Sequence, residues 1–158
     1  MKMLMFALAA GLGASAVPAG AAMVRAQDPQ SVVAALQKAG YRARLDTDKT
    51  GDPVVRSASS GTDFSVFFYN CTDHKDCRTV EFYSGYHLDK NPVGLDKMND
   101  WNRTMRFGRA YLDDQKDPVL EMDVDLDAGG MSDDLFKDNL DYWTSVMSRF
   151  EKHIGWTS

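Results

Sequence analysis

Two runs rich in aromatic and β-branched residues, FSVFFYN from Phe64 to Asn70 and RTVEFYSGY from Arg78 to Tyr86, flank the loop C-TDHKD-C between Cys71 and Cys77. Runs of this composition form strands. If Cys71 stands opposite Cys77 in an antiparallel hairpin, Phe68 faces Val80 and Val66 faces Phe82, so apolar side chains meet on one face. Phe67 opposite Glu81 and Tyr69 opposite Thr79 then share the other face with the cysteines. A slip of one residue would turn every apolar side chain to the wrong face, so crosslink and hydrophobic pattern specify one register. A disulfide is the simplest fate of two cysteines this close in an exported chain. Cys71-x-x-His74-x-x-Cys77 also offers ligand-type residues, but structural zinc takes four ligands and redox pairs favour C-x-x-C spacing.

Export is expected from the first residues. Lys2, the apolar run LMFALAAGLGASAV, Pro18 and the string AGAA read as a secretory leader. At about 14 residues the run is too short for a permanent membrane span, which needs roughly 20. Cleavage is expected after Ala26 in Val24-Arg25-Ala26, with Ala19-Gly20-Ala21 as the alternative, which makes residues 1–26 a leader and 27–158 one domain. The G-x-G-x-x-A match from Gly11 to Ala16 carries no phosphate-binding meaning inside a leader. Loss of Lys2 and Arg25 would leave 16 basic against 23 acidic residues, a net charge of −7. Such a surface repels phosphate backbones, so no nucleic-acid partner is expected, and no membrane insertion after cleavage.

The remaining pattern reads αββββαββα, an antiparallel sheet packed by helices in the α+β class. Ser31 to Gly40 has helical spacing, with Asp28 or Ser31 as cap. Strands follow near Tyr41–Asp46 and Pro53–Ala58, then the disulfide hairpin. Leu95, Met98, Trp101 and Met105 form a second helical stripe, and Arg106–Leu112 with Val119–Leu126 a second hairpin. Phe136, Leu140, Trp143, Met147, Phe150 and Ile154 make the clearest stripe, capped by Ser132 and stopped by Gly155.

The segment EMDVDLDAGGMSDD, residues 121–134, is the most suggestive of chemistry. Asp123, Asp125, Asp127 and Asp134 fall at positions one, three, five and twelve of a calcium loop, but Ala128 stands where that loop needs glycine. Strict alternation favours a half-buried strand with a solvated acidic face running through a Gly129-Gly130 turn into a helix. The four aspartates therefore stay a weak cation candidate. His74, His87 and His153 lie at no recognisable spacing from a nucleophile, and H-E-x-x-H and G-x-S-x-G are absent. No enzyme and no cofactor is expected. Trp101 and Trp143 lie on apolar stripes, where core packing is the simpler reading; with Asn102 they form the candidate interaction surface.

The run N-D-W-N-R-T-M-R-F-G-R-A-Y-L-D-D from Asn99, followed by D-P-V-L-E-M-D-V-D-L and G-G-M-S, resembles the YbjN family of bacterial sensory transduction regulators. The likeness is most specific over residues 99–131 and extends more loosely from about 30 to 154. It implies a fold similar to the type III secretion chaperones, with no catalytic residue or cofactor to carry over. The chain departs from cytoplasmic members of that family in its leader and its cysteine pair, so the expected function is a periplasmic or secreted protein-interaction module linked to regulation or stress, with another protein as partner and a homodimer allowed by the chaperone analogy. A sensor binding a small molecule or cation is the alternative.

Overall fold

The computed structural model describes residues 23–88 and 92–157. The elements run β1 (Met23–Val24), α1 (Pro29–Lys38), β2 (Ala43–Thr47), β3 (Pro53–Ser59), β4 (Thr62–Tyr69) and β5 (Thr79–Gly85). They continue with α2 (Leu95–Thr104), β6 (Arg109–Leu112), β7 (Pro118–Asp125), β8 (Met131–Ser132) and α3 (Asp133–Ile154). Six strands form one antiparallel sheet in the order β2-β3-β4-β5-β7-β6, and β1 pairs with β8 in a separate two-stranded sheet. This is an α+β fold. The expected succession αββββαββα is present, with β1 and β8 added.

The hairpin register agrees with the cysteine argument: Val66 pairs with Phe82, Phe67 with Glu81, Phe68 with Val80 and Tyr69 with Thr79. Cys71 and Cys77 are disulfide-bonded, but not on the face of Phe67 and Tyr69 as expected: Cys77 is buried in the core and Cys71 packs against it, because Asn70, at φ 56°, takes the chain out of strand geometry before Cys71. Asn70, Asp73, His74 and Asp76 all hold positive φ in this loop, between 49° and 62°. Asn, Asp and His tolerate that region better than other side chains.

One face of the sheet carries Val55, Val66, Phe68, Val80, Phe82, Leu120, Met122 and Val124, which join the helices in one core. Helix α3 contributes its whole stripe, from Phe136 to Ile154, each at most 5% exposed. Trp143 packs between Phe64 and Phe82, with ring centroids at 6.2 and 5.7 Å. At ~1.5–3 kcal/mol per large apolar side chain, this stripe is the chief hold of α3 on the sheet. Ser132 caps α3 by accepting from the Leu135 N–H, and Gly155 ends it at φ 75°. Asp28 caps α1 by accepting from the Gln30 N–H.

Two details differ from the sequence expectation. Leu95 opens α2 but is 67% exposed, so only Met98 and Trp101 of that stripe are buried. Strand β6 starts at Arg109 because Phe107 and Gly108, at φ 55° and 125°, turn the chain first. The expected leader spans residues 1–26. Residues 1–22 of it lie outside the described residues, but Met23–Ala26 belong to the folded domain. Val24 and Ala26 are fully buried, and Arg25 Nε donates to the Gly129 carbonyl at 3.1 Å. A side chain on Gly130 would meet the Val24 carbonyl oxygen at 2.2 Å, so glycine there lets β1 close over the turn.

Candidate functional site

The segment after α2 presents an aromatic surface. Trp101 lies fully buried against Phe150, centroid to centroid 5.0 Å, and donates from Nε1 to the Gly108 carbonyl at 3.1 Å. Asn102 bridges to β6 in both directions: its Nδ2 donates to the Ala110 carbonyl, and its Oδ1 accepts from the Ala110 N–H, each at 2.9 Å. Gly108 has no substitute here, since a Cβ would lie 2.7 Å from Val146 Cγ1 at a φ that L side chains avoid. These contacts hold Phe107 in the left-handed region, a conformation costing on the order of 1–3 kcal/mol for a bulky residue. Phe107 is 53% exposed all the same, and it stacks on the equally exposed Tyr142 of α3 at 4.5 Å and 26°. Asp138, Asp141 and Ser145 border the Tyr142 side, where a shallow depression of about 380 Å³ opens.

A second feature lies on the sheet face turned away from the helices. Pairing sets Phe67, Glu81 and Asp123 in one row across β4, β5 and β7. Ser65, Tyr83, Glu121 and Arg109 form the next row, which ends on β6. Residues Asp48 to Thr50, from the β2–β3 turn, reach the rim of a cleft of about 460 Å³ over these rows. Glu81 and Glu121 line it and are each only 6% exposed. Tyr69 donates its hydroxyl to Glu81 Oε1 at 3.1 Å, and Tyr111 donates to Glu121 Oε1 at 2.5 Å. Arg109 pairs with Glu121 and lies 5.7 Å from the Tyr111 ring centroid. Burial, and then the charges of Glu121 and Asp123, push the Glu81 carboxyl up to about 7. The Tyr69 and Tyr111 hydroxyls are raised as well, by burial first and then by the carboxylates beside them.

The residues singled out from sequence fall into different roles. Trp101 and Trp143 have no exposed surface, so neither can touch a partner; Trp143 fills the core, while Trp101 and Asn102 shape the turn that presents Phe107. The four aspartates do not converge. Asp123 and Asp125 project from β7, Asp127 lies 3.8 Å from Arg78, and Asp134 sits in the first turn of α3. Among the described residues, no three His, Cys, Asp or Glu side chains could hold a metal ion together. His74 turns from the disulfide loop to Asp52 Oδ1 at 2.8 Å, His87 lies 2.8 Å from Asp117 Oδ2, and His153 meets the Lys97 carbonyl at 2.9 Å. No described helix is long and apolar enough to cross a membrane.

Phe107, Tyr142, Glu81 and Glu121 were not singled out from sequence. Alternation places Glu121 on the acidic face of β7, but that face is not wholly solvated: tyrosines from the neighbouring strands bury its carboxylate. The signal available was the tyrosines recurring in the polar phase of strands that pair with those carrying the glutamates. Phe107 was marked only by the glycine that follows it.

No curated protein sequence matches the chain. Residues 28–156 match the model of the YbjN family, "Putative bacterial sensory transduction regulator", so the chain belongs to that family. The W-N-R-T-M-R-F-G-R-A run that carried the resemblance contains the turn clamp: Trp101, Asn102, Phe107, Gly108 and Ala110.

Proposed function

From membership of the YbjN family we infer that this chain is an exported, non-enzymatic protein-interaction module with a regulatory or stress-linked role. The stacked Phe107–Tyr142 pair carries this reading. A large aromatic held in a costly backbone conformation while half exposed adds little to the core, and such rigid rings are the usual anchors of protein interfaces. Asp138 beside it fits a partner segment in which an apolar side chain is flanked by a basic one, while Asp141 is already paired with Lys137 at 2.5 Å. Export is supported by the apolar leader and the Cys71–Cys77 disulfide, and retention of β1 favours processing at Ala19-Gly20-Ala21.

The test is crosslinking in the producing cell, with the native chain compared with the double variant Phe107→Ala, Tyr142→Ala. The expected result is one near-stoichiometric partner, captured by the native chain and lost from the double variant. Equal capture by both, or none by either, would contradict docking at this pair. Should the captured partner be a second copy of the chain, sedimentation will show a dimer that the double variant does not form.

A further inference from the structure

We propose that the cleft on the open sheet face binds an organic cation, a guanidinium or alkylammonium group, between Glu81 and the rings around it. The proposal concerns a different surface from the Phe107–Tyr142 pair and stands independently of it. Three carboxylates, those of Glu81, Glu121 and Asp123, lie in adjoining rows on β5 and β7. Arg109 is the guanidinium that reaches them: it hydrogen-bonds Glu121 and makes a longer ion pair to Glu81 Oε2 at 3.9 Å. Arg56 turns elsewhere, to Ser65 and Asp46. Glu81 is thus more than nine-tenths buried, lines an open cleft, and is met by the Tyr69 hydroxyl, by the neighbouring Asp123 carboxyl and, at the longer distance, by Arg109. A buried carboxylate without a close cation carries a large desolvation cost, which a proton or an external cation can relieve.

The chain itself shows which cation suits the place. At Glu121 a guanidinium already sits between a carboxylate and a tyrosine ring, in the Arg109–Tyr111 arrangement. The Glu81 half of the cleft has the same composition, but the same Arg109 guanidinium reaches it only at 3.9 Å. Its carboxylate is flanked by Tyr69 and by Phe67 and Tyr83, whose rings meet edge to face at 5.5 Å. Aromatic faces attract weakly hydrated organic cations, whereas calcium or magnesium takes a shell of oxygen ligands that this lining does not assemble. Lys49 also lines the cleft, so a ligand bearing a carboxylate some atoms away from its cation would be matched at both ends.

The experiment titrates the disulfide-intact protein with L-arginine and, at matched ionic strength, with L-citrulline. Citrulline is the neutral isostere, and the ring resonances of Tyr69, Tyr83 and Tyr111 are the readout. Arginine should shift these resonances saturably and citrulline should not. Glu81→Gln should weaken arginine binding roughly tenfold or more, and Phe107→Ala should leave it unchanged. Equal responses to both amino acids, no saturable response to arginine, or full binding by Glu81→Gln would each overturn the proposal. If Glu81→Gln does not fold, as read from the same spectra, the arginine–citrulline comparison on the native chain decides alone.

Discussion

The two faces of the β4–β5 hairpin are made of similar residues and do different things. On the face toward the helices, Val66, Phe68, Val80 and Phe82 are sealed under α3 and its tryptophan. On the other face, Phe67, Tyr69, Glu81 and Tyr83 are left uncovered by any described helix, yet Glu81 is nearly as buried as the core. The first face gains from every apolar contact. The second keeps two carboxylates out of water with one guanidinium, Arg109, reaching both, an arrangement that contributes less to folding than apolar pairs would. The contrast teaches that burial alone does not distinguish a core from a site; what is buried, and beside what, does.

The contrast breaks most visibly on the closed face. Trp143→Ala should cost about 3–5 kcal/mol, the range for removing a large buried aromatic, measured as a shift of the urea midpoint with unchanged slope. A loss under about 1 kcal/mol would mean that α3 does not depend on its stripe. Next in size is the edge of that core at β1. A chain starting at Gln27 loses fully buried Val24 and Ala26 and should fall by roughly 2–3 kcal/mol relative to one starting at Ala22. The intact mass of the chain recovered from its producing cell checks the same point, with Ala22 expected as first residue. Reduction of Cys71–Cys77 should cost about 2 kcal/mol, since so short a loop gains little from closure. It should also loosen the β2–β3 turn that His74 holds through Asp52, read as faster amide exchange at Gly51 and Asp52. The smallest effect belongs to the exposed pair: Phe107→Ala should change stability by no more than ~0.5 kcal/mol in either direction, whatever it does to partner capture.

How far the sequence reached follows the same division. The closed face was legible because its period is regular: Val66, Phe68, Val80 and Phe82 alternate, and Phe136 to Ile154 recur every three or four residues. Register, cap and helix stop all followed from neighbours in sequence. Strands β1 and β8 escaped because two-residue strands have no period, and because Met23–Ala26 look like the end of a leader as much as the start of a domain. The aromatic pair escaped because Phe107 and Tyr142 are brought together by a turn whose shape depends on Trp101 reaching Gly108. The glutamate cleft escaped for a related reason. Alternation reports which face a residue takes, whereas the burial of Glu81 and Glu121 depends on rings arriving from other strands.

The most direct test of the open face as a place kept at the expense of stability is unfolding of the native chain and Glu81→Gln between pH 4 and 8. Because the folded-state carboxyl of Glu81 is raised from 4.5 to about 7, its favourable contribution is complete below pH 4.5 and lost as pH rises through 7. At pH 8 the native chain therefore carries a buried charge that the variant lacks. Glu81→Gln should be more stable there by roughly 2 kcal/mol, with the gap closing toward pH 4.5. Equal or lower stability of Glu81→Gln at pH 8 would contradict the account, and would make Glu81 an ordinary structural partner of Tyr69.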